Sequence, residues 1–213
     1  MADKETSRVE AFSDGVFAIA ITLLILEIKV PGLDSHLSAE NLLFALMKLW
    51  PSYFAFLVSF AAILIMWINH HGFFRHLRTI NSKFLFANGF LLLLVTFIPF
   101  PTAVLAKYIN TPGATTASAF YCGTMVMISV AYNLLWFTSA YKRALVHDEI
   151  SDKLIIKIRN AYWFGFSVSL TAFIISLYFA LAGLAICISL WIYWTLLDYS
   201  KTGQKKTNPK TLS

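Results

Sequence analysis

Apolar positions come in blocks of bilayer length, separated by short charged segments. Leu49 to Ile68 is uncharged for 20 residues, with Trp50 and Trp67 near its ends, as an interfacial aromatic belt requires. Phe84 to Ala106 is uncharged for 23 residues. Pro99 and Pro101, towards its far end, predict a kink or a stop, because each removes a backbone donor. Another span lies within Ala117 to Ala140. From Asn160 to Leu197 no charge occurs for 38 residues, and one helix of that length would run about 57 Å against a ~30 Å hydrocarbon core. Two spans with a turn near Gly183 are predicted instead, the second of them short.

The block that opens the chain is different. Between Asp14 and Glu27 only the twelve residues Gly15 to Leu26 are free of charge, whereas a lipid-facing helix needs about twenty. Arg8, Ser13 and Asp14 crowd one end, and Glu27 and Lys29 the other. An Asp inside a span is costly and usually faces protein or water. This helix is therefore predicted to be central and shielded from lipid.

Composition strengthens the membrane reading. The chain has 213 residues, 58% of them hydrophobic and 13% charged, against roughly 25% charged in soluble domains. Mean hydropathy is +0.68. Residues 1 to 11 carry five charges and lack a small-residue cleavage site, so the first block is read as a span and not as a signal peptide. Cys122 and Cys187 lie in apolar runs and read as buried thiols.

The net charge of +6 is informative through its placement. Lys4 and Arg8; Arg75, Arg78 and Lys83; Lys142, Arg143, Lys153, Lys157 and Arg159; and Lys201, Lys205, Lys206 and Lys210 all fall on one side of the alternating spans. Only Lys29, Lys48 and Lys107 fall on the other. By the positive-inside rule both termini are cytoplasmic, and the span number is even. The expected fold is an all-α, multi-pass protein of the cell (inner) membrane. Its spans are expected at 9–30, 49–70, 82–106, 116–141, 159–181 and 183–198, within one domain over 1–200. A basic, disordered tail is expected at 201–213, and segment 31 to 48 has room for an interfacial helix. The basic segments suit anionic lipid headgroups; the tail is too short and too poor in aromatics for nucleic acid.

Topology brings the end of the second span to the base of the first. Trp67, Asn69 and His70 are thereby placed within reach of Arg8, Ser13 and Asp14, with Asn88 of the third span nearby. A hydrogen-bonded cluster there would anchor the first helix, since unpaired polar groups are costly at that depth. The simpler reading makes Ser13 or Asp14 an N-cap. Above this base Ile19, Leu23 and Leu26 share one face at i, i+4, i+7, with Thr22 beside them. Such a stripe alone serves packing as well as it serves a pore.

The string R-V-E-A-F-S-D, Arg8 to Asp14, opening the first of six spans, resembles the RxxxFSD signature of the transmembrane protein 175 family, the lysosomal-type potassium channels. W-I-N-H-H, Trp67 to His71, looks like the second-span end of bacterial members. A single six-span repeat implies a homotetramer in which four first helices line a central pore. On that resemblance Arg8, Phe12, Ser13 and Asp14 form the signature and anchor. Ile19 is the narrowest ring, Thr22 a hydroxyl layer, and Leu23 and Leu26 further apolar pore positions. No TVGYG-type filter occurs in the chain. The implied function is a K⁺-permeable cation channel of modest K⁺ over Na⁺ selectivity, with no cofactor beyond the permeant ion and no enzymatic activity.

Two other readings use the same residues. A proton-coupled transporter would titrate Asp14 and His70, yet the middles of the spans hold almost no ionisable group. A membrane metal enzyme would need His70, His71 and His76 to converge with Asp14, or with His147, Asp148 and Glu149.

Overall fold

The computed structural model describes residues 2–31 and 39–196. All regular structure there is helical: α1 (Ala2–Leu23) continued by a 3₁₀ turn at Leu24–Glu27, α2 (Ala39–Lys48), α3 (Trp50–Phe74), α4 (Ser82–Phe97), α5 (Pro99–Tyr108), α6 (Ala114–Ala140), α7 (Asp152–Ser176) and α8 (Ala180–Leu196). Four stretches among the described residues are long and apolar enough to cross a membrane: Lys4–Glu27, Trp50–Phe74, Ser82–Tyr108 and Ala114–Ala140. α7 spends its first two turns on Asp152, Lys153, Lys157 and Arg159, and α8 has 17 residues. The tail expected at 201–213 lies outside the described residues.

Local chemistry explains most boundaries. Pro51 occupies the first turn of α3, where its missing N–H costs nothing. Asn81 caps α4, its side chain accepting from the Phe84 amide at 2.9 Å. Ser151 does the same for Leu154 in α7, at 3.3 Å. The proline pair breaks the third block at Ile98, whose amide bonds Val95 O in a tightened turn at 3.2 Å before α5 resumes. Thr102 then ties the break back, donating to Ile98 O at 2.8 Å while lying 2.6 Å from the buried Ser59 hydroxyl of α3.

The first helix begins at Ala2, so Ser13 and Asp14 stand in mid-helix and neither is an N-cap. Residues 2–12 contain no breaker and are rich in Ala, Glu, Lys and Arg, which propagate a helix readily. At the far end the 38-residue run does divide, but at Leu177–Phe179 and not at Gly183. Gly183 lies inside α8, where a Cβ would fall 2.4 Å from Ser176 Cβ and 2.8 Å from Ala172 O. Its role is close helix contact, a common use of glycine in membrane helices.

α1 packs against α3 and α4, α3 against α5, α4 against α6, and α6 against α7 and α8. At the base of the bundle Phe73, Phe84 and Trp136 lock α3, α4 and α6. Phe73 stacks on Phe84 at 6.1 Å and meets Trp136 edge-on at 5.9 Å. Beneath them the turn after α3 and the loop after α6 join: Leu77 pairs with Val146, His147 N bonds His76 O at 3.1 Å, and Arg78 meets Asp148 at 2.7 Å. Glu10 of α1 reaches His71 at this same end. Three of the basic segments thus lie together, as the charge pattern requires. Arg143 enters the loop with φ 56°. Its guanidinium holds Asp152 and the Ile150 carbonyl, which offsets the cost of that left-handed backbone. Cys122 and Cys187 are buried free thiols where α6 meets α8.

Candidate functional site

The antiparallel register of α1 and α3 builds a polar ladder. Moving four residues up one helix and four down the other pairs Glu10 with His71, 2.8 Å apart, and Asp14 with Trp67, whose Nε1–H donates to Oδ1 at 2.9 Å. Arg75 approaches the other nitrogen of His71 at 3.0 Å. Because guanidinium only donates, that nitrogen accepts; Nδ1, the nitrogen nearer Glu10, makes no hydrogen bond of good geometry among the described residues.

A third rung is fully buried and recruits α4. His70 Nε2 lies 2.9 Å from Asn88 Oδ1, Asn88 Nδ2 donates to Ser13 Oγ at 2.9 Å, and Ser13 Oγ donates to Val9 O at 2.8 Å. One direction of donation satisfies the chain, and it puts the His70 proton on Nε2. Ser13 and His70 are 0% exposed and Asn88 3%. The His70 ring sits between Phe17, 5.2 Å away, and Phe74, 4.6 Å away, with Nδ1 unpartnered among the described residues. Deprived of water, each link has only the next residue to bond, so the three helices are held in one relative rotation.

The predicted anchor residues divide into three groups. Ser13, Asp14, Trp67 and His70 meet at the base of α1. Asn69 does not join them: its amide turns back to Ile65 O of its own helix at 2.8 Å. Arg8 and Phe12 are exposed, Phe12 at 66%, beside a cleft between α1 and α4 with Asn88 in its lining. Asn88, which topology places beside this cluster, is its hub, and Glu10 forms a further rung with His71 of the same span end. For Glu10 a signal existed, since it precedes Asp14 by the same four residues by which His71 follows Trp67. Asn88 lies 75 residues from Ser13, and no local pattern announces the pair.

Above the base, α1 presents two faces. Thr6, Ser13, Phe17, Ala20 and Leu24 are buried. Arg8, Phe12, Gly15, Ile19, Thr22 and Leu26, three or four residues apart, are exposed on the opposite side. Ile19 is 60% exposed, Leu23 41% and Leu26 59%. The Thr22 hydroxyl donates into its own helix, with Ala18 O at 3.0 Å and Ile19 O at 2.9 Å, which leaves its oxygen lone pairs on the open side. Lys29 bonds Leu26 O at 2.7 Å. Among the described residues no three His, Cys or carboxylate groups converge as metal ligands, and the Asp148 carboxylate pairs with Arg78.

Comparison with known proteins matches the chain to one family. The family model described as "Endosomal/lysosomal potassium channel TMEM175" matches residues 8–99. A potassium channel of Chamaesiphon minutus is 45% identical over 192 residues, covering 90% of this chain and 94% of that protein. The crystal structure of a lysosomal potassium-selective channel TMEM175 homolog from the same organism superposes with a TM-score of 0.81 at 44% identity, covering 91% of this chain and 97% of the other. The human endosomal/lysosomal proton channel TMEM175 is 28% identical over 163 residues, covering 74% of this chain and 30% of its own length.

Proposed function

This chain belongs to the TMEM175 family, a multi-pass membrane family of ion channels and not enzymes, and from that premise we propose that it is a potassium-permeable cation channel, a homotetramer with four copies of α1 around a central pore. Six spans cross the inner membrane with both termini cytoplasmic, α7 and α8 supplying the last two. Residues 1–200 form the channel unit. Anionic headgroups attend its basic cytoplasmic segments.

What carries this reading is the mismatch within α1. Its polar base is locked into the subunit, yet only 22% of its apolar stretch is buried there, against 50% in α6. Twelve charge-free residues are too few to leave the open face to lipid. Three further copies of the same helix would cover it.

In that arrangement four Ile19 side chains form a collar narrow and apolar enough to hold the pore dry when closed. An ion passing the open collar gives up part of its water, which K⁺ surrenders more readily than Na⁺. Four Thr22 oxygens, with their protons already committed to backbone carbonyls, replace the lost waters as acceptors. Leu23 and Leu26 continue the apolar wall. Lacking a rigid cage of backbone carbonyls, the filter prefers K⁺ only modestly. Ser13 and Asp14, with Trp67, His70 and Asn88, hold the helix at the rotation that aims Ile19 inward, and the exposed Arg8 and Phe12 of the signature are left to face the neighbouring subunit. The proton-coupled alternative is disfavoured by separate commitments: Asp14 bonds Trp67, and His70 bonds Asn88.

Reversal potential across a planar bilayer, with K⁺ on one side and Na⁺ on the other, tests the proposal. The wild type is expected to shift towards the K⁺ potential, and Ile19→Asn to pass more current with a smaller shift. Unchanged conduction in Ile19→Asn removes Ile19 from the constriction. Current driven by a proton gradient, with no K⁺ dependence, would favour the Asp14 and His70 route.

A further inference from the structure

On the outer side of the bundle, α6 and α7 leave a cleft of about 590 Å³ that the pore does not use. Their antiparallel register is pinned by Asn133 Nδ2, which donates to Tyr162 O at 3.2 Å, and by Ser129 and Ser169, whose hydroxyls lie 3.0 Å apart. That register sets Phe137 of α6 level with Arg159 of α7. Leu134, Phe137, Ile155 and Trp163 supply the walls, Ala140 leaves room at the mouth, and Arg159 stands at the charged end. Phe137 is 59% exposed and Trp163 58%, so the walls are open to whatever fills the space.

The charges near its mouth are unbalanced towards positive, with Glu149 the one acid of the preceding loop that makes no ion pair among the described residues. Asp148 is taken by Arg78, and Asp152 by Arg143. Arg159 is exposed and makes no ion pair among the described residues, and neither do Lys153 and Lys157 on the same helix. Arg159 is also the last charge before the 38-residue neutral run, which places it at headgroup depth, with apolar walls leading into the hydrocarbon. On the hydrocarbon side of Arg159 the cleft follows α6 from Phe137 to Val130, about 10 Å, a length suited to the upper half of an acyl chain.

We propose that this cleft seats one anionic phospholipid of the cytoplasmic leaflet per subunit, its phosphate on Arg159 and an acyl chain between Phe137 and Trp163. The proposal rests on the membrane orientation given above. A second copy of the chain suits the cleft less well. α1, the helix expected at the subunit contacts, packs on α3 and α4, whereas the main neighbours of α7 are α6 and α8. A guanidinium recognises phosphate through paired N–H donors, and the surrounding lysines raise the local anion concentration.

Native mass spectrometry of the full-length protein, titrated with phosphatidylglycerol and with phosphatidylcholine of the same chain length, tests this directly. The wild type should prefer phosphatidylglycerol by about fivefold or more. Arg159→Gln should bring the two lipids level, and Ala140→Leu, which fills the mouth but keeps every charge, should weaken both. Lys107→Gln, at the opposite end of the bundle, should change nothing. The proposal fails if Arg159→Gln keeps the preference or if Ala140→Leu binds as the wild type does. It fails equally if inorganic phosphate displaces the lipid at equal concentration, which would mark a free-anion site. A change of subunit number in Ala140→Leu would give the cleft to a second copy and also overturn it. Since the readout is binding and not current, a non-conducting protein that still shows this pattern sinks the channel reading alone.

Discussion

Single side chains decide how α1 is held, and they differ in what their loss costs. Asn88 is buried and serves both neighbours, so Asn88→Leu strands the His70 proton and strips Ser13 of a donor. A loss of about 2 kcal/mol or more is expected, because a buried group left unpaired forfeits its full desolvation. Trp67→Phe removes one bond from a partly exposed carboxylate that water can reach, and should cost about 1 kcal/mol or less. Thermal unfolding of both variants in detergent checks the order; an equal or reversed ranking would mean that the buried rung is not the principal anchor. Below the ladder, His76 is held under its ordinary pKa of 6.5 first by burial and then by the charges of His147 and Arg75. The native state therefore favours the neutral ring, while the unfolded chain takes up a proton near pH 6.5. Stability is complete above that pH and declines as pH falls below it. The melting temperature should drop between about pH 7.5 and about pH 5.5, and less so in His76→Gln.

Helix ends and contacts are the next level, and here the local signals were unequal. Pro99 and Pro101 break the third block because a missing donor acts on its own turn, whatever packs around it. Gly183 invited a turn by the same kind of reasoning and instead makes a contact, because glycine serves both purposes and only a neighbouring helix shows which. The chain turns where Ser176 donates to Phe173 O at 2.6 Å and Phe179 N closes on Ile175 O at 2.8 Å. Gly183→Ala must push against the Ser176 backbone and the Ala172 carbonyl, neither of which can swing aside. About 1–3 kcal/mol is expected, the usual range for overpacking. Gly165→Ala meets the far edge of the Trp194 indole at 2.7 Å, a side chain able to rotate, and should cost less. Comparing the two melting curves separates a rigid helix contact from an adjustable one.

For the whole molecule, the claim at issue is that the base of α1 serves assembly and its open face serves permeation. Asp14→Ala should therefore reduce the yield of tetramer on size-exclusion chromatography by several-fold while leaving the reversal potential of the surviving channels close to wild type. Normal assembly with altered selectivity would make Asp14 an ion site. Much of the fold was legible along the chain. Block length, the sidedness of Lys and Arg, the proline break and the shortness of the first neutral run each follow from one-dimensional rules of length, charge and periodicity. The stripe of Ile19, Leu23 and Leu26 is equally visible, because helical periodicity alone sets which positions share a face. What the chain could not announce was partnership: that Asn88 bridges Ser13 and His70, and that Asn69 turns back to its own helix. Partnership depends on the rotation and register of helices far apart in sequence. Those are set by the interlocking of Phe73, Phe84 and Trp136 and by the close approach at Gly183, so only the packed bundle decides them.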